Sequence, residues 1–144
     1  MKNKLWVKIA YILTLIIQVG IIIGTFVIEY LTNKKAGVMH HVYYRRYQFE
    51  NSIFSQNNIN ILKIVSILLI IIFLIFMINT LLKNKSKVVK IQAILTFIIS
   101  IMLYISISSK YFINMLAYHY FIMTFSVVLL LQIVVYIISL INNK

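Results

Sequence analysis

The sequence predicts an all-α integral membrane protein, with four transmembrane helices arranged as an up-down bundle. Three observations lead to this prediction: 62% of the 144 residues are hydrophobic, only 11% are charged, and the chain has no cysteine, no proline and three glycines. A soluble domain carries roughly 25% charged residues. The composition therefore excludes an ordinary soluble enzyme, a disulfide-stabilised scaffold, a disordered chain and a collagen-like repeat.

Four uncharged segments are long enough to cross a hydrocarbon core of about 30 Å, which needs about 20 helical residues. Their expected bounds are 9–28, 64–82, 91–109 and 119–141, and residues 111–118 are expected to lead into the fourth span at the membrane surface. The first segment is too long for a signal-peptide core and no A-x-A-like site follows it, so we expect an uncleaved anchor. No linker divides the chain, which predicts one domain over residues 1–144.

The segment between the first two spans predicts a short interfacial helix or loop. Met39, Val42, Tyr43, Arg46 and Phe49 recur at a spacing of three or four residues. This spacing is typical of an amphipathic helix that lies in the outer membrane surface with its aromatic side in lipid. Residues 51–52 and 55–58 are expected to form the loop into the second span.

The distribution of basic residues predicts a plasma-membrane protein with both termini in the cytoplasm, because cytoplasmic loops are enriched in lysine and arginine. The cytoplasmic side would then carry Lys2, Lys4, Lys8, Lys83, Lys85, Lys87, Lys90 and Lys144. The outer side would carry Lys34, Lys35, Arg45, Arg46, Lys63 and Lys110. Because the net charge of +12 is divided between the two membrane faces, we expect anionic lipid head groups rather than nucleic acid as its partners. The excess of Ile, Lys, Asn, Tyr and Phe is typical of an A/T-rich genome and indicates a bacterial source.

Two features inside the spans predict helix packing. Gly20 and Gly24 form a G-x-x-x-G pattern, which lets a neighbouring helix approach closely. We expect that neighbour to belong to the same bundle, with a homodimer as the alternative. Gln18 and Gln132 lie at matching depths, so a hydrogen bond between their amides is expected to join the first span to the fourth. A polar path through the bundle is the alternative for this pair.

The spans contain no Asp, Glu, Lys or Arg. Ion-coupled transporters and proton relays use buried ionisable groups, and intramembrane proteases need paired acids, metal-binding motifs or a Ser–His pair. The sequence therefore predicts neither an enzyme nor a self-sufficient transporter, and no cofactor.

Recognition is expected to depend on the outer segment, residues 30–60. Its candidates for binding a partner or an anion are Arg45, Arg46, Tyr43, Tyr44 and Tyr47. Arginine bonds bidentately to carboxylate or phosphate, and tyrosine supplies rigid contact area. We expect no metal site; the weak candidates for one are His40, His41, His119, Glu29 and Glu50. Adjacent histidines such as His40 and His41 point apart in a helix or a strand, which argues against a shared ion.

The expected function is that of a small interaction, immunity or accessory subunit, which binds a peptide or a larger membrane partner through residues 30–60. One alternative is an oligomeric channel or holin-like pore that assembles through Gly20 and Gly24. The other is a component of lipid or polyprenyl-phosphate carrier translocation, in which Arg45 and Arg46 would hold phosphate.

Overall fold

The computed structural model describes the backbone of residues 2–83 and 85–142, and the side chains of these ranges from residue 9 onward. This part of the chain is all-helical and contains no strand. The side chains of Lys2, Lys4 and Lys8 and the whole of Lys144, which the predicted orientation uses, lie outside it. Its helices are α1 (Lys2–Lys34), α2 (Ala36–Glu50), α3 (Gln56–Leu82), α4 (Lys87–Ser108), α5 (Lys110–Ile113) and α6 (Tyr118–Ile141).

Four of these helices are long and apolar enough to cross a membrane, which confirms the all-helical class and the four candidate spans. The qualifying stretches are Ile9–Lys34, Gln56–Leu82, Lys87–Ser108 and Tyr118–Ile141. The second begins at Gln56 rather than Ile64, so the prediction of a loop at residues 56–58 is wrong. No glycine or proline interrupts residues 56–63, and helix formation therefore continues through these polar residues.

Helix α6 lies at the centre of the packing. It contacts both α4 and α1, and α4 also packs against α3, so the long helices follow the order α3, α4, α6, α1. Within the described residues, α1 and α3 share no interface of comparable extent. Half of the most apolar stretch of α6 is buried, against 11% for the corresponding stretches of α1 and of α3.

The two flanking helices bury mainly every seventh residue. On α1 the buried residues are Gln18, Thr25 and Thr32, and on α3 they are Ile59, Ser66, Phe73 and Thr80. Five of these seven side chains are polar, whereas the outward faces of both helices are covered by exposed Ile, Leu, Val and Phe. Small and polar residues at helix contacts, with large apolar residues outside, are typical of packing in lipid. An apolar surface this extensive is unfavourable in water.

One end of the molecule, which we name the α2 end, contains α2, α5 and the adjoining ends of the long helices. Its core is rich in aromatic rings: the Phe121 ring lies 5.0 Å from that of Phe112 and 4.9 Å from that of Phe26, each in an edge-to-face arrangement. Val42 of α2 is buried in the same core and is only 2% exposed. Helix α2 is therefore part of the folded core at this end.

Candidate functional site

Helix α2 is separated from its neighbours by two short breaks in the helical backbone. Lys35 is extended, with φ −125° and ψ 115°, and it divides α2 from α1. After Glu50 the chain turns back, and the Phe54 N–H donates to the Phe49 carbonyl over 2.8 Å. These breaks separate α2 from α1 and α3, and the burial of Val42 distinguishes an inner face of α2 from an outer one.

The inner face of α2 contains Val42, Arg46 and Phe49. The Arg46 guanidinium donates to the Met115 carbonyl over 3.0 Å and, through Nε, to Glu50 Oε1 over 2.8 Å. The Phe49 ring lies 6.1 Å from the ring of Tyr120. The predicted helix is therefore present, but the expectation that Val42, Arg46 and Phe49 face lipid is wrong. Contact with α6 and with the turn before it outweighs the local pattern, because it removes apolar surface from solvent and pairs the guanidinium at the same time.

Glu29 of α1 also bonds to the turn that precedes α6. Its Oε2 accepts from the Ala117 N–H over 2.9 Å, and its Oε1 accepts from Asn33 Nδ2 over 3.1 Å. Glu29 and Arg46 together hold the turn that precedes α6, one at its amide and the other at its carbonyl. The sequence patterns did not predict this pair of contacts, which we name the clamp on the turn before α6. The signal for it was that both acidic residues of the chain, Glu29 and Glu50, belong to the same end.

The outer face of α2 carries the remaining partner-binding candidates. Tyr43, Tyr44 and Tyr47 are 62%, 56% and 65% exposed, and they follow one another at helical spacing. Arg45 is also exposed and donates to Gln48 Oε1 over 3.2 Å. We name the four exposed residues Tyr43, Tyr44, Arg45 and Tyr47 the outer α2 face. Arg45 lies at its edge, about 60° around the helix from Val42. The structure thus separates the two adjacent arginines, because Arg46 points into the protein.

Of the weak metal candidates, only Glu50 and His119 line a common cavity within the described residues. His40 and His41 are exposed, while His119 is buried, with its ring 5.2 Å from Phe54 and 5.0 Å from Tyr118. Within residues 2–83 and 85–142 no three His, Cys, Asp or Glu side chains lie close enough to hold a metal ion.

The expected hydrogen bond between Gln18 and Gln132 is present: Gln18 Nε2 donates to Gln132 Oε1 over 3.0 Å. Gln132 Nε2 in turn donates to Gln92 Oε1 over 2.7 Å, so three buried amides connect α1, α6 and α4. The sequence patterns did not indicate Gln92, which lies near the start of α4 and whose side chain reaches Gln132. The Thr25 and Thr124 hydroxyls, 2.6 Å apart, form a second link between α1 and α6.

Gly20 and Gly24 do not pack against another helix within the described part of the chain. A Cβ atom added at either position would meet nothing within 4 Å. The expected packing of these glycines inside the bundle is therefore wrong, because α1 faces α6 through Gln18 and Thr25 instead.

Changing Gly20 and Gly24 together to leucine should preserve the fold. Leucine is a better helix former than glycine by about 1 kcal/mol per position, and both positions open onto free space. We expect the free energy of unfolding in detergent to stay equal to that of the wild type or to rise. A clear loss of stability would contradict this expectation, since it would require the glycines to lie in a tight contact.

No protein-family model, no curated protein and no solved structure matches the chain. Fold and site together define a class, namely an all-helical protein with four helices able to cross a membrane and a short helix fixed at one end.

Proposed function

We propose that the chain is a non-enzymatic interaction protein of the plasma membrane, an immunity, accessory or regulatory subunit that binds an acidic segment of a peptide or membrane-protein partner. The observation that supports this proposal is the outer α2 face. Three exposed tyrosines and an exposed arginine stand on a helix that Val42 and Arg46 attach to the rest of the protein. Tyrosine and arginine on a rigid support are typical of binding hot spots.

The charge at the α2 end supports an acidic partner. Lys34, Lys35 and Arg45 are exposed there. The two acidic residues, by contrast, are both engaged within the protein: Glu29 accepts from Ala117 and Asn33, and Glu50 accepts from Arg46. The uncompensated positive charge favours a partner that carries carboxylates, which arginine can bind in bidentate geometry.

The polar residues between the helices do not favour an oligomeric pore. Gln18, Gln132, Thr25 and Thr124 bond to one another across the contacts of a single chain. Buried amides and hydroxyls that bond to one another in this way stabilise helix packing.

Photo-crosslinking in cells tests the proposed binding surface. With p-benzoylphenylalanine in place of Tyr44, we expect a covalent product with one polypeptide, attached at a segment rich in Asp or Glu. The same amino acid at Ile16, an exposed position of α1, should give lipid products only. Lipid products alone at Tyr44 would refute the proposal in favour of membrane anchoring.

Changing Arg45 to glutamine should lower the yield of the Tyr44 crosslink at least about tenfold, because a charge-assisted pair contributes roughly 1.5–3 kcal/mol. Changing the exposed Lys110 of α5 to glutamine is the matched control and should leave the yield unchanged. The proposal requires this difference. An equal loss of crosslink yield in both variants would show that only the overall positive charge matters and would contradict a direct contact of Arg45 with the partner.

The proposed orientation, with the α2 end outside the cell, is tested by cysteine labelling. Ser55→Cys should react with a membrane-impermeant thiol reagent in intact cells, because Ser55 lies at the α2 end. Ser86→Cys, at the opposite end, should react only after lysis. Since the chain has no cysteine of its own, the signal comes from the introduced thiol alone. The reverse pattern would overturn the orientation.

A further inference from the structure

Beneath α2, on the side away from the outer α2 face, the protein contains a half-enclosed cavity of about 330 Å³. It lies between the C-terminal end of α2, the first turns of α3, α5 and the start of α6. This volume is within the range of small-molecule sites, roughly 300–1,000 Å³. Its polar lining includes Arg46, Glu50, Gln56, Lys63 and His119.

His119 is the first indication that the cavity binds a ligand. The side chain is only 1% exposed, and neither of its ring nitrogens has a hydrogen-bond partner among the described residues. Leaving a buried donor or acceptor unpaired is costly, so such groups are normally satisfied by protein, water or ligand. The cavity that His119 lines is the place from which such a partner can come.

The charged groups of the cavity indicate which ligand chemistry it accepts. Arg46 uses two of its five N–H groups, for Glu50 and for Met115, which leaves three N–H groups as donors. The Lys63 ammonium forms no ion pair within the described part of the chain. Two cations therefore face one carboxylate, and the cavity has a positive excess that suits an anion.

Glu50, whose side chain is 47% exposed, offers a further acceptor to a ligand. Its Oε1 accepts from Arg46, while its Oε2 makes no hydrogen bond within the described residues. A ligand that carries a hydroxyl or ammonium donor beside its anionic group can bond to Glu50 while Lys63 and Arg46 hold the anion. The remaining wall is apolar, formed by Phe54, Ile59 and Ile113, and can accommodate the carbon backbone of such a ligand.

We propose that this cavity binds a phosphate ester that carries a hydroxyl or amine donor a few atoms from the phosphate. A phospholipid head group such as phosphoglycerol and a free glycerol phosphate share this chemistry. Lys63, Arg46 and His119 contact the phosphate, and Glu50 accepts from the hydroxyl or amine. The site is separate from the outer α2 face, and its occupation does not depend on Arg45.

Native mass spectrometry of the purified protein in detergent tests the proposal with two lipid probes. Phosphatidylglycerol is anionic and has the required hydroxyl donors, whereas phosphatidylcholine is zwitterionic and its choline head has no donor. We expect phosphatidylglycerol to bind about tenfold or more tightly, because phosphatidylcholine lacks both the charge-assisted hydrogen bond to Glu50 and the net negative charge. Adding free glycerol phosphate identifies the source: competition indicates a soluble ligand, and its absence indicates the lipid head group.

Two variants localise the binding. Lys63→Gln, in a partly exposed side chain, and His119→Phe should each reduce phosphatidylglycerol binding to the level of phosphatidylcholine. Lys110→Gln removes the same charge from α5 outside the cavity and should leave the preference intact. Equal binding of both lipids to the wild type, or an unchanged preference in Lys63→Gln, would overturn the proposal. Arg45→Gln should not alter the lipid preference, so failure here is distinguishable from failure of the proposed partner surface.

Discussion

Replacing Gln132 by leucine is expected to lower the free energy of unfolding by about 2 kcal/mol, because interhelical hydrogen bonds in membranes contribute roughly 0.6 and up to about 1.7 kcal/mol each. Gln132 makes two such bonds to side chains, of Gln18 on α1 and of Gln92 on α4, and its Nε2 also donates to the Gln92 carbonyl over 3.4 Å. Its removal leaves both partner amides buried without a bond. Reversible unfolding in mixed micelles measures the change.

The relative sizes of the losses in unfolding free energy distinguish a hydrogen-bond network of glutamines from isolated contacts. Gln18→Leu removes one bond between side chains and should cost about half as much as Gln132→Leu. In the Gln132→Leu background, Gln18→Leu should add little, because its partner is already gone. Gln48→Leu, on partly exposed α2, is the matched control and should change stability by less than about 0.5 kcal/mol. Strictly additive losses for Gln18 and Gln132 would contradict the network.

Replacing Arg46 by methionine should weaken the attachment of α2 to the turn before α6. We expect the free energy of local opening of α2 to fall by about 2 kcal/mol, because a hydrogen bond from a charged donor contributes roughly 1.5–3 kcal/mol. The variant loses the bond to the Met115 carbonyl and the ion pair with Glu50. The ion pair is partly exposed and contributes little by itself. Amide hydrogen exchange across residues 36–50 should become about thirtyfold faster, which corresponds to this energy.

Arg45→Met is the control for this prediction. It makes the same change one residue earlier, on the outer face, where the guanidinium bonds only to Gln48 within the described residues. The rate of amide hydrogen exchange in α2 should then remain close to that of the wild type. If Arg45→Met and Arg46→Met loosened α2 equally, the clamp on the turn before α6 would not be what holds the helix.

The adjacent arginines also show where sequence analysis reached its limit. The spacing of Met39, Val42, Tyr43, Arg46 and Phe49 predicted a helix, and the helix is present over Ala36–Glu50. It could not predict that this helix turns Arg46 and Phe49 inward, because the outcome depends on the Met115 carbonyl and the Tyr120 ring, about 70 residues further along the chain. A local sequence pattern carries no information about contacts between residues that far apart.

The glutamines and glycines inside the spans show one sequence-based prediction that was correct and one that was wrong. Gln18 and Gln132 could be paired from depth alone, because a buried amide needs a partner and the apolar spans offer few. Gly20 and Gly24 matched a packing motif, but no described residue packs there. The seven-residue spacing of Gln18, Thr25 and Thr32 marked the true contact face and could have been found from the sequence.

The sequence by itself determined the helical class and the four long apolar helices, because helix length and hydropathy are local properties that the membrane thickness selects. It also placed both acidic residues and all three histidines at one end. The tertiary structure alone decided which face of each helix is buried, which arginine is exposed, and that a cavity lies beside His119. The physical reason is that lipid tails are as apolar as leucine, so hydropathy cannot distinguish a lipid-facing side chain from a protein-facing one. That choice depends on shape and on a few polar contacts between helices, which only folding brings together.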